Sequence, residues 1–368
     1  FYFRAIYSNR DNVKQYLNKI EEIQKSDGDL PNVSIIVSAY NESKVIQRKI
    51  QNISNLDYPQ EKIELLVIDD FSNDDTGELA EKVLNNCHLT GRIIRNQERI
   101  GLNQSLNLAF QLASHPIICV TDADVTLEKD ALKNSLTVLE HFENAGGVTG
   151  CVVPADDKNS FAGKIEKDYR FYYDRSMLTE SSFHSAFPGN GPLMIFKSFP
   201  NCFIPADYGS TDANIAMNVI KSGKRILYIP NARFHELIPE TVRQQKLQKV
   251  RRATRLIQAF IHNADVFLNG AYGSFGKTIF PLKFLIHVFC PILMLLGLIT
   301  FTLFITFYAG QGFQLITAFL LVVVASVILI SRKIRNFFSS FLFHQIYLLL
   351  GLFSLGRQGR TWKTIDRK

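Results

Sequence analysis

Cysteine is sparse and scattered. The five cysteines stand at positions 87, 119, 151, 202 and 290, with no CxxC pair and no zinc spacing. That pattern argues against a zinc ribbon or a dithiol redox centre and leaves reduced thiols in a core or facing lipid. No signal-peptide pattern opens the chain. It begins FYFRAIYSNR without Met, which leads us to expect an upstream apolar helix. Acids are missing from one stretch in particular. Arg243 to Gln258, RQQKLQKVRRATRLIQ, holds six Lys/Arg and no Asp or Glu. No aromatic-interleaved platform or RNA-binding motif accompanies it, so nucleic acid is the least favoured partner.

What is present is unevenly spread. Net charge is +7 over 368 residues, and hydrophobic residues make up 46% of the chain. A basic balance suits nucleic acid, an acidic membrane surface or a phosphorylated substrate. Up to about Thr278 the chain reads as a soluble α/β protein, and beyond it apolar residues dominate. Val13–Lys25 has helical spacing. From Val33, short β runs (VSIIVS, ELLVID, GRIIR, PIICVT) alternate with amphipathic helical runs. Apolar strands separated by such helices predict a mostly parallel sheet covered on both faces. Ligands of such sheets bind beyond the C-terminal strand ends. The polar residues collect there: AYNE (Ala39–Glu42), DDFS (Asp69–Ser72), TDADV (Thr121–Val125), and His235 after RILYIP.

Three apolar segments follow, Ile279–Tyr308, Phe313–Ile330 and Phe337–Leu355. A helix needs about 20 residues to cross the hydrocarbon core. Pro281, Lys283, His287 and Pro291 crowd the start of the first segment, so it reads as an interfacial lead-in followed by one span. The basic SRKIRN link is cytoplasmic by the positive-inside rule, and the uncharged AGQGFQ link fits outside. The α/β half is then cytoplasmic. Three full crossings would put the basic tail outside, so either the third segment is re-entrant or interfacial, or the rule fails there.

TDADV carries the chemistry. Two carboxylates two positions apart at a strand end can meet Mn²⁺ or Mg²⁺, which take oxygen ligands and share them with substrate phosphates. A plain surface turn is the competing reading. VSIIVSAYNE, LLVIDDFSNDDT, GLNQSLNLAF and VTDADV, in this order, resemble the processive-type family 2 glycosyltransferases of the GT-A fold, such as cellulose, chitin and hyaluronan synthases. The likeness covers about residues 31–260. It implies that Ala39, Tyr40, Glu42, Asp69 and Asp70 line the nucleotide site. It implies that Asp122 and Asp124 form the DxD that holds metal and nucleotide sugar, that His235 completes the metal shell, and that Gly189 of GNGP lies near donor and acceptor. For His235 a purely structural role competes, and for GNGP a simple turn. In GSTDANIAMNV the family's TED reads Ser210-Thr211-Asp212. Asp212 is then the expected base, or a helix cap, or both. Leu102 stands where the family often has a basic residue, and nearby Arg99 is the substitute we expect.

Gln248-Lys249-Val250-Arg251-Arg252 falls where the family carries QxxRW, with Arg252 in place of Trp. By the resemblance, Gln248 and Arg251 face the donor diphosphate. At about 100° per residue, Gln248, Arg251, Arg252, Arg255 and Gln258 share one arc, and Leu247, Val250, Thr254, Ile257 and Ile261 another. A diphosphate clamp and an interfacial helix beside anionic lipid both fit. Losing the stacking Trp weakens the case for a long polymer. The expected organisation is an N-terminal amphipathic segment (1–30), a GT-A domain (31–240), interfacial amphipathic helices (241–278), a membrane domain (279–356) and a basic tail (357–368). The expected activity is inverting, metal-dependent hexose transfer from a UDP- or GDP-sugar to a lipid-linked or growing glycan at the cytoplasmic face of an integral membrane protein. The alternatives are a polyprenyl-phosphate glycosyltransferase and a non-catalytic nucleotide-sugar-binding transport or scaffold protein.

Overall fold

The computed structural model describes residues 10–26, 28–154, 161–199, 203–236, 242–308, 310–317 and 332–356. Most of the second apolar segment and the whole basic tail lie outside them.

Eight strands form one sheet in the order β3-β2-β1-β4-β7-β6-β8-β5. β1 (Val33–Ala39), β2 (Ile63–Asp69), β3 (Thr90–Arg95) and β4 (Ile117–Asp122) run parallel, as the apolar runs predict. β6 (Ala145–Pro154) and β8 (Arg225–Glu236) form a second parallel pair. β7 (Met194–Lys197) joins the halves antiparallel to both neighbours. The two-residue β5 (Thr126–Leu127) pairs antiparallel with β8 at the edge. β1 and β2 are buried along nearly their whole length, which is why they read as unbroken apolar runs. β3 is an edge strand, largely exposed and carrying Arg92 and Arg95, a guard against edge pairing.

Strand side chains alternate between faces, and this splits the core in two. Ile35, Val37, Leu65 and Val67 face α1 (Arg10–Lys25), α2 (Ile46–Ser54), α3 (Thr76–Asn85) and α5 (Ala131–His141). Ile36, Leu66 and Ile68 face the other side, with α4 (Leu102–Leu112), α6 (Phe161–Phe183) and α7 (Thr211–Lys221). This second core continues without a break into the C-terminal part. Ile257 and Phe260 of α8 (Val242–His262), Phe275, Phe280 and Val288 of α9 (Phe275–Phe307) and Leu348 of α10 (Arg332–Phe353) all belong to it.

α9 is the one described helix long and apolar enough to cross a membrane. Its first turns are buried, whereas Leu293, Leu296 and Leu298 are exposed. α10, the third apolar segment, packs along α8 and α6. Gly351 is where it meets α8. A Cβ there would sit 3.0 Å from both Ala253 Cβ and the Thr254 nitrogen, and Thr254 Oγ1 donates to the Gly351 carbonyl at 3.2 Å.

α8 does not place its faces as helical periodicity alone suggests. Gln248, Arg255 and Gln258 of the polar arc are buried, while Leu247 and Ile261 of the apolar arc are exposed. Arg255 and Gln258 turn inward because they meet backbone groups, while Arg252 of the same arc stays exposed and Thr254 and Ile257 of the apolar arc are buried. Arg255 donates to the Asp207 carbonyl at 2.8 Å, and Gln258 Oε1 accepts from Gly209 N at 3.2 Å.

Lys283 of α9 is buried and pairs with buried Glu180 of α6 at 2.8 Å. Its ammonium also donates to the Phe187 carbonyl. Glu180 accepts in return from Phe187 N at 3.2 Å and from Ser176 Oγ at 2.6 Å. The apolar helix is thus bolted to the segment that leads into GNGP. Glu180→Gln, which leaves the ammonium buried without its counter-charge, is expected to cost about 3–5 kcal/mol. Glu180→Leu combined with Lys283→Met is expected to recover most of it. Denaturant unfolding of the full chain in detergent checks both.

Candidate active site

The parallel register sets β1, β2 and β4 side by side so that their C-terminal ends coincide. Ala39 pairs with Asp69, and Ser38 with Asp122. The loops after β1 and β2 are laced together. Asn41 N donates to Ser72 Oγ at 3.0 Å, Asn73 N to Asn41 Oδ1 at 2.8 Å and Glu42 N to Thr76 Oγ1 at 2.8 Å. Asp69 accepts from Ser72 N at 3.0 Å. Arg99 lays its guanidinium 3.6 Å from the centroid of the Tyr40 ring, a cation–π wall beside these loops.

Asp70 has a different task from the one expected. Its carboxylate accepts from Asn96 Nδ2, Ile100 N and Gly101 N, each at 2.9 Å, and from Ser105 Oγ at 3.2 Å. It organises the turn into α4, where Gly101 holds φ +90°, a conformation that suits glycine. Four donors leave it little capacity for a base or ribose.

Asp122 and Asp124 are both half-buried at the end of β4. A hard divalent cation takes one or two carboxylates and fills its remaining positions from phosphates and water, so this pair fits such an ion. The loop is braced from behind by Lys49, fully buried, which donates to Thr121 Oγ1 at 2.7 Å and to the Val125 carbonyl at 2.9 Å. Burial pushes the Lys49 ammonium down to about 7. His235 lies in the same sheet corner through β5, but its Nε2 meets Glu128 Oε1 at 3.2 Å. Among the described residues no three His, Cys, Asp or Glu side chains gather into a metal-holding group. The single shell of Asp122, Asp124 and His235 is therefore not assembled here. The imidazole is engaged by Glu128, and two like charges do not close up unaided.

A cavity of about 520 Å³ opens beside Asp122. Gly189–Pro192 and Asp212 line it. The loop is held by Asn190, whose N donates to Thr149 Oγ1 at 2.7 Å and whose Nδ2 donates to the Gly150 carbonyl at 2.6 Å. Tyr173 OH adds a bond to the Gly189 carbonyl at 2.8 Å. Gly189 has φ +113°, which any side chain would strain. A Cβ on Gly191 would lie 3.7 Å from Asp212 Cβ, so the loop passes beside Asp212. Asp212 stands in the first turn of α7, after the N-cap Ser210. Burial pushes its carboxyl above the usual range. The Ala213 amide and Arg252 pull it back, and Asp122 adds to the rise.

Residues 34–199 match the profile of Glycosyl transferase family 2. The match covers a little under half of the chain and takes in the strand ends that carry Asp69 and Asp122. The chain is 34% identical over 150 residues to the "Probable glycosyltransferase YdaM" of Bacillus subtilis, covering 40% of this chain and 34% of that protein. It is 26% identical over 279 residues to the poly-beta-1,6-N-acetyl-D-glucosamine synthase of Staphylococcus aureus, covering 74% and 64%. The chain thus spans about a third and under two thirds of these relatives' lengths. The mannosyltransferase PcManGT of Pyrobaculum calidifontis, solved with GDP-Man and Mn²⁺, shares the fold, with a TM-score of 0.71, 23% identity and coverage of 97% and 98%.

The fold gathers only some of the expected site residues around this cavity. Asp122, Gly189, Asp212, Arg251 and Arg252 line it. Ala39, Tyr40, Glu42, Asp69, Asp70 and Arg99 cluster at the neighbouring strand ends, while Asp124, His235 and Gln248 are outside the lining. Sequence reasoning missed Arg170 and Arg175 of α6, Lys249 and Arg255 as wall residues, and Lys283, His287, His344 and Tyr347 from the apolar helices. Polar residues inside apolar segments were the available signal. Glu236 ties two of the cations together, pairing with Arg170 at 3.2 Å and with Arg252. Burial, with Arg252 beside it, pushes the Arg251 guanidinium down to about 10.

Lys49 gives the site a pH signature. Its folded value lies below the unfolded one, so the unfolded chain binds the extra proton between about pH 7 and 10.5. Its burial penalty is full below about 7 and is relieved as pH rises through that window. Relative to Lys49→Met, the wild type is expected to gain stability from pH 7 to 10. Unfolding free energies of both proteins across that range test it.

Proposed function

We propose that the chain is an integral membrane glycosyltransferase that transfers a hexose, with inversion, from a UDP- or GDP-sugar to a lipid-linked or growing glycan at the cytoplasmic face. The observation that carries this reading is the Asp212 carboxylate, set against the Gly189–Pro192 loop in a cavity that also reaches Asp122. Inverting transfer needs a base at the attacking hydroxyl and positive charge at the departing diphosphate. Asp212 takes the acceptor hydroxyl's proton as that oxygen bonds to the anomeric carbon. The bond from the anomeric carbon to the diphosphate breaks, and its electron pair leaves with the nucleotide. Arg251 and Arg252 meet the charge that builds there, with guanidinium geometry that suits phosphate. Tyr40, Arg99 and Asp69 border the nucleotide. Asp122 and Asp124 would hold Mn²⁺ or Mg²⁺, which when bound offsets charge on the diphosphate.

α9 supports the membrane assignment, being apolar, exposed beyond its first turns and long enough to span. The packing of α10 along α8 and α6 favours a third segment that lies at the interface rather than crossing.

Asp212→Asn is expected to lower transfer about 10²- to 10⁴-fold, read as nucleotide diphosphate release in the presence of Mn²⁺. Near-normal turnover would remove Asp212 as base. The acid limb of the kcat profile is expected above the ordinary carboxylate range, since burial raises Asp212. Arg252→Gln removes a charge that holds this pKa down, so the limb is expected to move further up.

A further inference from the structure

The segment that carries Asp122 and Asp124 is gripped from a single helix. α2 presents Lys49 and Asn52, three residues apart and so on one face. Its Ile46, Ile50 and Ile53 are fully buried in the first core, which seats the helix against the sheet. Lys49 Nζ bridges the two ends of the turn. It donates to Thr121 Oγ1 before the carboxylates at 2.7 Å and to the Val125 carbonyl after them at 2.9 Å. Asn52 takes the chain two residues further on. Its Nδ2 donates to the Leu127 carbonyl at 2.9 Å, and its Oδ1 accepts from Leu127 N at 2.8 Å. β5, which holds Leu127, is the last strand of the sheet. The Asn52 carboxamide therefore stands where a further strand would pair.

Asp122 and Asp124 are thus carried between fixed points at Thr121, Val125 and Leu127. Packing does not require this arrangement. The three isoleucines already seat α2, and burying an ammonium beside them costs free energy that its bonds to the turn must offset. A hard cation makes a different demand, since its oxygen ligands must stand at a defined spacing. Groups that orient metal ligands from behind typically change metal affinity about 10- to 100-fold. We propose that Lys49 and Asn52 act as a clasp, positioning Asp122 and Asp124 at the spacing a divalent cation takes and so setting its affinity through the loop. The proposal rests on the glycosyltransferase reading and adds the residues that ready its metal pair.

The test uses the full chain in detergent, with Mn²⁺ as the probe and UDP or GDP in excess. Free Mn²⁺ is read by its electron paramagnetic resonance signal. Lys49→Met and Asn52→Leu are each expected to weaken Mn²⁺ binding about tenfold or more. Thr121→Val deletes one acceptor of Lys49 and is expected to weaken it at least about threefold. Thr121→Ser keeps that hydroxyl and is expected to bind Mn²⁺ like the wild type. Excess Mn²⁺ is expected to return nucleotide affinity to the wild-type value in every variant, which a collapsed site would not allow. Wild-type Mn²⁺ affinity in both Lys49→Met and Thr121→Val would overturn the clasp, as would equal losses in Thr121→Ser and Thr121→Val. If Lys49→Met fails to fold, the two Thr121 variants decide. No Mn²⁺ binding by the wild type with either nucleotide overturns the clasp together with the metal pair. Unchanged Mn²⁺ affinities beside transfer that depends on Asp212 sink the clasp and leave the glycosyltransferase reading intact. The expected losses without transfer from any UDP- or GDP-sugar keep the clasp and sink that reading.

Discussion

The ion pair between Lys283 and Glu180 is the constraint on which the rest depends. A lysine at the root of an apolar helix would normally extend its ammonium to the interface. Here it is turned into the protein, where it meets Glu180 and the Phe187 carbonyl. Burying two charges is costly, and the pairing holds because each partner is satisfied further by hydrogen bonds. The consequence is positional. Phe187 precedes the Gly189–Pro192 loop, and that loop and Asp212 line the same cavity. The helix and the loop are therefore tied together beside the carboxylate, and the second core runs without a break from the sheet into α8, α9 and α10.

Around that junction the charges divide the work. Asp70 and Lys49 are spent on the scaffold, one shaping the turn into α4 and the other bracing the loop that carries Asp122 and Asp124. Glu236 gathers Arg170 and Arg252. Asp212 and Arg251 face the cavity, each with its charged form disfavoured by burial. A carboxylate that binds its proton more tightly than usual is a better proton acceptor, and guanidiniums held close together are prepared for an anion.

The strand ends were legible in the chain because a central parallel strand must be apolar throughout and must stop where polar residues begin. Val33–Ala39, Ile63–Asp69 and Ile117–Asp122 all obey this. β6 and β7 were not legible. Ala145–Pro154 is rich in glycine, and Met194–Lys197 is only four residues long, so neither carries enough periodic signal. α8 was legible as a helix with two faces but not in its orientation, because the partners of its polar face, Asp207 and Gly209, are backbone groups that no side-chain pattern reveals.

By itself the sequence determined the parallel half of the sheet, the polar residues at its strand ends, the Asp212 carboxylate opening a helix and the apolar character of the C-terminal third. All of these follow from local period and composition, which a chain carries wherever it folds. Tertiary structure alone decided that Lys283 faces inward, that Asp70 serves a turn, that His235 pairs with Glu128 and that α10 lies along α8 to complete the cavity wall. Each is a pairing between residues distant in the chain. Such pairings are chosen by burial cost and by which partner is nearest once the sheet and helices are in place.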